Sequence, residues 1–243
     1  MDAQQRTASP VDRRQGRGKP LALVVLLENV GHITGVKLPA AVMAAIDYLT
    51  EEYAKLLLRF YGAYRVYDAV VILEDEQATG SRLAETLLRL GPAYTTDLLL
   101  LVHGHEGKLV GYRGQELIGP ETFSHLLEAY RHDPNALDLR MVFGLNCYGA
   151  SLSDVWLALG AVVVNGTPGV NWLPEPSLST FLRNWLGGKR YSAAVQRSNR
   201  RARRWARRVW RPHPGQTEHP KVAASRQIVY GVRDIDIHTH SRT

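Results

Sequence analysis

The only cysteine of this 243-residue chain, Cys147, follows an apolar run at residues 141–143 and opens a short turn that contains glycine. A second apolar run, at residues 98–102, ends in His103-Gly104-His105. A thiol needs a nearby base to become a thiolate at neutral pH. A histidine at the end of one strand can reach a cysteine at the end of a neighbouring strand. The two segments together therefore predict the chemistry of a cysteine hydrolase.

The elements predicted around this pair alternate between strands and helices. Continuous apolar runs predict strands at residues 21–27, 67–73, 97–102, 139–143, 161–164 and 226–230. Helical spacing predicts helices at residues 39–60, 81–90, 120–131, 152–159, 178–186 and 192–209, with Ser81 as the N-cap of the second. Unbroken apolar strands separated by helices indicate a parallel sheet buried on both faces. Functional groups gather beyond the carboxyl ends of such strands, where His103 and Cys147 lie.

This order of elements, with one strand ending in His-Gly and a later one ending in Cys with a glycine just after, resembles the caspase-like clan of cysteine peptidases. That clan includes caspases, legumains, clostripain-type enzymes and the bacterial CHAT proteases. Residues 160–167 and 187–195 resemble the CHAT pattern after the catalytic cysteine, and residues 167–172 resemble the caspase loop that lines the substrate groove. The resemblance covers residues 21–232, and the CHAT branch is the most similar in pattern.

The resemblance implies an α/β, three-layer caspase-like (caspase-hemoglobinase) fold with a mostly parallel central sheet of about six strands. The polar segment at residues 1–20 predicts a disordered basic leader. Residues 21–243 are then expected to form one peptidase domain, which includes an arginine-rich helix near residues 192–210.

The roles of the clan transfer to matching positions of this chain. The resemblance implies that Cys147 attacks the scissile carbonyl, while His103 manages the thiol proton and protonates the leaving amine. The backbone amides of Gly104 and Cys147 would form the oxyanion hole. No cofactor is implied. The expected substrate-binding residues are Leu145, Asn146, Trp172, Leu173 and His105.

Two positions of the expected specificity pocket depart from the relatives. Leu145 stands where caspases and legumains carry a polar or acidic residue, and Leu173 follows Trp172 where caspases carry an arginine. A carboxylate without a cationic partner is costly to bury. The sequence therefore predicts an apolar or uncharged residue before the cut rather than aspartate. Leu145 as a core residue is the alternative, and polar specificity from loop residues is another. Those loop residues are Lys37, Glu28, Glu74 and Asp75.

A rival interpretation of the histidines is a zinc site. His103, His105 and Cys147 are types that bind zinc, and Glu106 is the only obvious fourth candidate. The catalytic interpretation is favoured because metallohydrolases usually place such histidines in a different fold. His105 is then expected to be a loop residue that lines the cleft, and no metal is predicted.

An arginine-rich segment has two interpretations. Its arginines can form a dense positive surface that binds nucleic acid, an anionic lipid surface or an acidic partner. Alternatively, they form a solvated helix face with their stems lying over apolar surface. The arginines are Arg197, Arg200, Arg201, Arg203, Arg204, Arg207 and Arg208.

Composition narrows the class of protein. A single cysteine excludes an intramolecular disulfide framework, which favours a reducing compartment and hence the cytoplasm. No run approaches the ~18 apolar residues of a membrane span. The sequence thus predicts a cysteine endopeptidase that cleaves a protein substrate and is controlled by a separate regulatory protein, a propeptide cut or substrate scarcity. The alternative is a catalytically silent binding or adaptor protein, attached to nucleic acid or an anionic surface by its arginine-rich helix.

Overall fold

The computed structural model of the protein describes residues 18–28, 51–212 and 214–239. Most of the predicted leader, the first part of the helix predicted at residues 39–60, and Lys37 lie outside these residues. Within the described part of the chain, no helix is long and apolar enough to cross a membrane.

The strands of the main sheet are separated by helices, as the sequence predicts. The strands are β1 (Leu21–Leu27), β2 (Ala69–Leu73), β3 (Thr95–Leu101), β4 (His103–His105), β5 (Lys108–Val110), β6 (Leu117–Ile118), β7 (Leu139–Gly144), β8 (Val163–Gly166) and β9 (Ile228–Gly231). The helices are α1 (residues 51–60), α2 (Ala63–Val66), α3 (Gly80–Leu90), α4 (Pro120–His132), α5 (Ser153–Ala158), α6 (Pro174–Trp185), α7 (Tyr191–Val209) and α8 (Pro220–Ala224). Short 3-10 turns lie at Asp75–Gln77, Tyr112–Gly114 and Gly149–Leu152.

Six strands form one sheet in the order β2-β1-β3-β7-β8-β9. All neighbours are parallel except β8 and β9. The strands β3 and β7 are adjacent, with Leu98 opposite Val142 and Leu100 opposite Gly144. Because both run in the same direction, the segments that follow them leave the sheet at the same edge. The predicted mostly parallel sheet of about six strands is confirmed.

Helices cover both faces of this sheet and give the three layers. Side chains of β3 alternate between the two faces: Leu98 and Leu100 pack with helices α3, α4 and α5, whereas Leu99 and Leu101 pack with α1, α6 and α7. This period of two follows from strand geometry. It also explains why these strands read as unbroken apolar runs, since each face is covered.

Several predicted boundaries differ from the structure. The N-cap of α3 is Thr79 rather than Ser81, because the Thr79 side chain accepts a hydrogen bond from the Arg82 backbone N–H at 3.2 Å. The helix predicted at residues 152–159 is shorter and follows a 3-10 turn. The predicted last strand begins two residues later, at Ile228, and runs antiparallel.

A second, three-stranded sheet was not predicted. It has the order β4-β5-β6, and both of its strand pairs are antiparallel. The strands β4 and β5 are joined by the two-residue turn Glu106-Gly107, in which Gly107 has a φ of 70°. Such a left-handed conformation suits glycine. The first residue of this sheet is His103, the histidine that the sequence predicts to be catalytic.

Candidate active site

Cys147 lies three residues beyond β7, at the carboxyl edge of the main sheet. It is partly exposed, and the residue before it, Asn146, is 1% exposed. Tyr148 then adopts a left-handed conformation with φ of 55°, and the chain continues into the Gly149–Leu152 turn. The cysteine is therefore presented by a sharp turn between a central strand and the next helix.

The glycine after His103 packs directly against this turn. A Cβ atom at Gly104 would lie 2.4 Å from the Cys147 carbonyl oxygen and 3.1 Å from the Asn146 Cβ. No side chain fits in such a space, so the close approach of the two backbones requires glycine. This contact brings the His103-Gly104 segment and the Cys147 turn together, which is the juxtaposition that the sequence predicts.

A hydrogen-bonded chain holds the same two segments together on the outside. The Gly107 N–H donates to the Ser151 hydroxyl at 2.8 Å, and that hydroxyl donates to the Tyr148 carbonyl at 2.6 Å. The tip of the β4–β5 hairpin is thus fixed to the turn that follows the cysteine. These contacts position β4 relative to Cys147 from both ends of the hairpin.

The two histidines of β4 have different environments. His103 pairs with Val110 across the hairpin, is partly exposed, and has a buried Nε2 atom. His105 pairs with Lys108 and is exposed. Among the described residues, which include both histidines and Cys147, no group of three or more His, Cys, Asp or Glu side chains is placed to hold a metal ion. The rival zinc interpretation therefore has no support in the arrangement of these side chains.

The sulfur of Cys147 contacts a residue that sequence reasoning did not assign to the site. The Asn171 backbone N–H donates to Cys147 Sγ at 3.3 Å. The Asn171 side chain is itself fixed, since its Nδ2 donates to the Leu145 carbonyl at 2.7 Å and its Oδ1 accepts from the Leu173 N–H at 3.1 Å. A backbone donor stabilises negative charge on sulfur. The sequence offered only a weak signal for Asn171, which is its place in the loop after β8, the strand beside β7.

The loop that carries Asn171 is tied to the cysteine turn by further hydrogen bonds. The fully buried Thr167 hydroxyl lies 3.1 Å from the Asn146 carbonyl and 3.0 Å from the Gly169 carbonyl. The Tyr148 N–H donates to the Gly169 carbonyl at 2.8 Å, and the Ala150 N–H donates to the Thr167 carbonyl at 3.0 Å. The loop and the turn therefore form one connected unit.

The buried side-chain amide of Asn165 connects this unit to the end of β7. Asn165 at the end of β8 accepts from the Gly144 N–H and donates to the Gly144 carbonyl, both at 3.1 Å. Its Oδ1 also lies 2.6 Å from the Tyr191 hydroxyl. Burial raises the pKa of Tyr191 well above its ordinary value, so its hydroxyl stays protonated. The network fixes the last residue of β7, from which the cysteine turn departs.

The predicted specificity residues are only partly where the sequence predicts them. Leu145 is 5% exposed and packs in the core, so the apolar pocket predicted from it is wrong at this position and the core alternative holds. The same alternation of faces that buries Phe143 buries Leu145 two residues later. Asn146 is also buried and donates to the Cys147 carbonyl at 3.3 Å. Neither side chain is open to a substrate.

Trp172 and Leu173 separate in the structure. Trp172 is 36% exposed, and its backbone N–H donates to the Ser225 hydroxyl at 2.7 Å. The Lys221 Nζ lies 4.2 Å from the centroid of the Trp172 ring. Leu173 is 2% exposed and packs on Ala202, Ala206 and Val222. It forms part of the floor of a pocket of about 270 Å³ between α7 and residues 218–226. Trp172 is therefore an exposed aromatic residue that directly follows Asn171, the residue whose N–H contacts the Cys147 sulfur.

Two of the three acidic loop residues, Glu28 and Glu74, form structural contacts, whereas Asp75 is exposed. Glu28 is 5% exposed, and its Oε1 accepts from the Arg113 N–H at 2.9 Å. Glu74 forms an ion pair of 2.8 Å with Lys55. These contacts connect the segments after β1 and β2 to other parts of the chain.

Comparison with known proteins supports the fold. No protein-family model matches this sequence, and no curated protein matches it. The structure is similar to the crystal structure of the Arg-specific cysteine proteinase gingipain R, with a TM-score of 0.55 and 12% identity over 93% of this chain and 49% of that one. A complex of the RgpB pro- and mature domains from Porphyromonas gingivalis gives a TM-score of 0.48, 13% identity and the same coverage.

The chain spans about half the length of these two structures. At 12% identity the likeness concerns the fold and not the activity. The six-stranded, mostly parallel sheet, the helices on both faces and the similarity to gingipain R together confirm the predicted three-layer, caspase-like α/β fold.

Proposed function

We propose that the protein is a cysteine endopeptidase that cleaves a protein substrate through a Cys147–His103 dyad. The observation that carries the proposal is the backbone contact between Gly104 and the Cys147 carbonyl, which allows only hydrogen at the glycine Cα. The similarity to gingipain R, described as a cysteine proteinase, supports the same class.

The reaction follows from the groups at the carboxyl edge of the sheet. The Cys147 thiolate attacks the scissile carbonyl carbon, and the electron pair of the carbonyl moves to its oxygen. The tetrahedral intermediate collapses, His103 donates a proton to the departing amine, and a thioester remains on the enzyme. Water then attacks the thioester while His103 accepts its proton. The acid product leaves, and the thiolate is regenerated with the Asn171 N–H at 3.3 Å from the sulfur.

The direction of the Gly104 N–H supports its role as an oxyanion donor. Hydrogen-bonded and non-hydrogen-bonded pairs alternate along an antiparallel ladder. His105 and Lys108 close the two-residue turn and form a hydrogen-bonded pair, which makes Gly104 and Leu109 a non-hydrogen-bonded pair. The Gly104 N–H therefore points away from β5, toward the free edge of the three-stranded sheet. Together with the Cys147 N–H it would bind the developing oxyanion.

Peptide cleavage tests the dyad. A peptide mixture digested by the wild-type protein and read by mass spectrometry should show cuts that disappear in Cys147→Ala and His103→Ala, with rates lowered about a thousandfold or more. His125→Ala is the matched control, because His125 is an exposed histidine on α4. Full cleavage by either dyad variant would overturn the assignment.

A thiol probe separates the peptidase from the catalytically silent alternative even when a regulatory partner is missing. Cys147 is the only cysteine, so every alkylation event reports on it. The peptidase should be labelled near neutral pH, and labelling should slow in His103→Ala because the base is lost. Equal labelling rates in both proteins, with no cleavage of any peptide, would favour the silent binding protein.

Similarity to the CHAT branch, a regulatory protein partner and a cytoplasmic location remain predictions from the sequence. With Leu145 in the core, preference for an apolar residue before the cut depends on Trp172 alone. The same peptide digest would reveal that preference directly.

A further inference from the structure

The arginine-rich helix α7 holds the entire charge excess of the chain. The protein has 30 Lys and Arg residues against 23 Asp and Glu residues. Helix α7 contributes seven arginines and no acidic residue, which leaves 23 basic and 23 acidic residues elsewhere. The net charge of +7 is therefore concentrated in 19 residues. A field this local directs a polyanion to one surface of the molecule.

All seven arginines of α7 are exposed. The buried side of the helix consists of small and apolar residues, among them Ala194, Val195 and Ala202. At 100° per residue, the arginines occupy the side opposite to these residues. Within the described part of the chain, one arginine of this face forms an ion pair: the Arg203 Nε lies 4.0 Å from the Glu218 Oε1. Acidic side chains of the described residues thus offset little of the charge on the arginine face.

An exposed indole lies at the border of the arginine face. Trp205 is 46% exposed although tryptophan usually buries most of its surface. Arg201 precedes it by four residues and Arg208 follows it by three, so both guanidinium groups lie about one helical turn away. Exposed aromatic rings interleaved with cations are the means by which proteins bind single-stranded nucleic acid without sequence preference.

We propose that the arginine face of α7 and Trp205 form a binding surface for single-stranded nucleic acid. Arginines contact successive phosphates, and the Trp205 ring stacks on a base. A duplex keeps its bases inside the helix and offers no such stacking. A membrane is the poorer fit, because an interfacial helix needs its apolar face for the bilayer, and most of that face of α7 is buried against the protein.

Fluorescence anisotropy with a labelled single-stranded oligonucleotide of about 12 nucleotides tests the proposal, a length within the site sizes of known binders. Binding should weaken as salt rises, and the triple variant R201Q/R204Q/R208Q should reduce the salt slope by about 2, near 0.7 per lost phosphate contact. The triple variant R59Q/R89Q/R131Q is the control: it removes the same charge from exposed arginines outside α7 and should keep the slope.

Trp205→Leu isolates the stacking contribution. It should weaken single-strand binding about 5- to 150-fold, while Trp205→Phe should retain most of the affinity and duplex binding should change little. Equal loss for single strand and duplex would overturn the stacking assignment. Absence of binding at low salt, equal loss in both arginine triples, or binding only to vesicles of anionic phospholipid would overturn the proposal. None of these outcomes depends on peptidase activity, so the two proposals fail independently.

Discussion

The two ends of the parallel sheet hold polar groups in opposite ways. Near its amino edge, Arg140 and Asp97 are fully buried and form a bidentate ion pair at 2.6 and 2.8 Å. The Tyr67 hydroxyl donates to the same carboxylate at 2.7 Å, and Arg140 also donates to the carbonyls of Ile237 and Thr239. Each partner is satisfied by several others, which is the usual condition for buried polar groups.

The carboxyl edge carries the Cys147 thiol. The Cys147 sulfur accepts a hydrogen bond from the Asn171 N–H, and the Cys147 side chain is partly exposed. A partly exposed thiol at this edge can be reached from outside, whereas the groups of the buried ion pair cannot. The amino edge thus has a buried cluster suited to stability, and the carboxyl edge has the thiol of the proposed dyad. If the proposed function holds, mutations at the two edges should affect stability and cleavage separately.

The largest expected effect is on stability at the amino edge. Arg140→Met leaves the Asp97 carboxylate buried without its cation and removes the two hydrogen bonds that hold residues 237–239. Breaking one partner of a buried pair costs about 3 to 5 kcal/mol. Urea unfolding should therefore show a loss of this size, while thiol-probe labelling of Cys147 in the folded fraction stays unchanged.

The double variant Asp97→Leu/Arg140→Met is the control for this prediction. Replacing both charges with apolar side chains leaves no buried charge, so it should be more stable than Arg140→Met alone. An Arg140→Met protein that unfolds like the wild type would show that the ion pair does not support the fold.

The next effect is on catalysis at the carboxyl edge. Gly104→Ala places a Cβ atom 2.4 Å from a backbone oxygen, and the two segments must move apart. A displacement approaching 1 Å at a reacting group lowers the rate about a hundredfold. Gly107→Ala is the matched control in the same hairpin. Its Cβ meets open space, and its left-handed backbone costs about 1 to 2 kcal/mol of stability without changing the peptide cleavage rate. Equal cleavage rates in the two variants would show that the close contact between Gly104 and the Cys147 carbonyl is not needed for cleavage.

The same comparison explains what the sequence could predict. The central strands could be predicted because strands buried on both faces are unbroken apolar runs in the sequence. The positions of His103 and Cys147 after two of these strands could be predicted for the same reason. The β4-β5-β6 sheet was missed because strands of two or three residues carry no periodic signal. Asn171 was missed because it acts on Cys147 through its backbone N–H, which every residue except proline possesses. Leu145 was misassigned because its burial depends on the strand register.

The smallest effect concerns two buried tyrosines, one beside each polar cluster, and appears only at alkaline pH. Burial raises the pKa of Tyr67 and of Tyr191 well above the ordinary value of 10.0, and the nearby Asp97 charge raises both further. The folded state thus holds these protons more tightly than the unfolded chain. Their stabilising contribution is complete below pH 10 and is lost as pH rises toward the folded-state pKa values. In that range, each tyrosine should lower the free energy of unfolding by about 1.4 kcal/mol per pH unit.

Urea unfolding above pH 10 should show a shallower pH slope in Tyr191→Phe and in Tyr67→Phe. Tyr64→Phe, at an exposed position, should keep the wild-type slope. An unchanged slope in both buried variants would show that these hydroxyls titrate alike in the folded and unfolded chain.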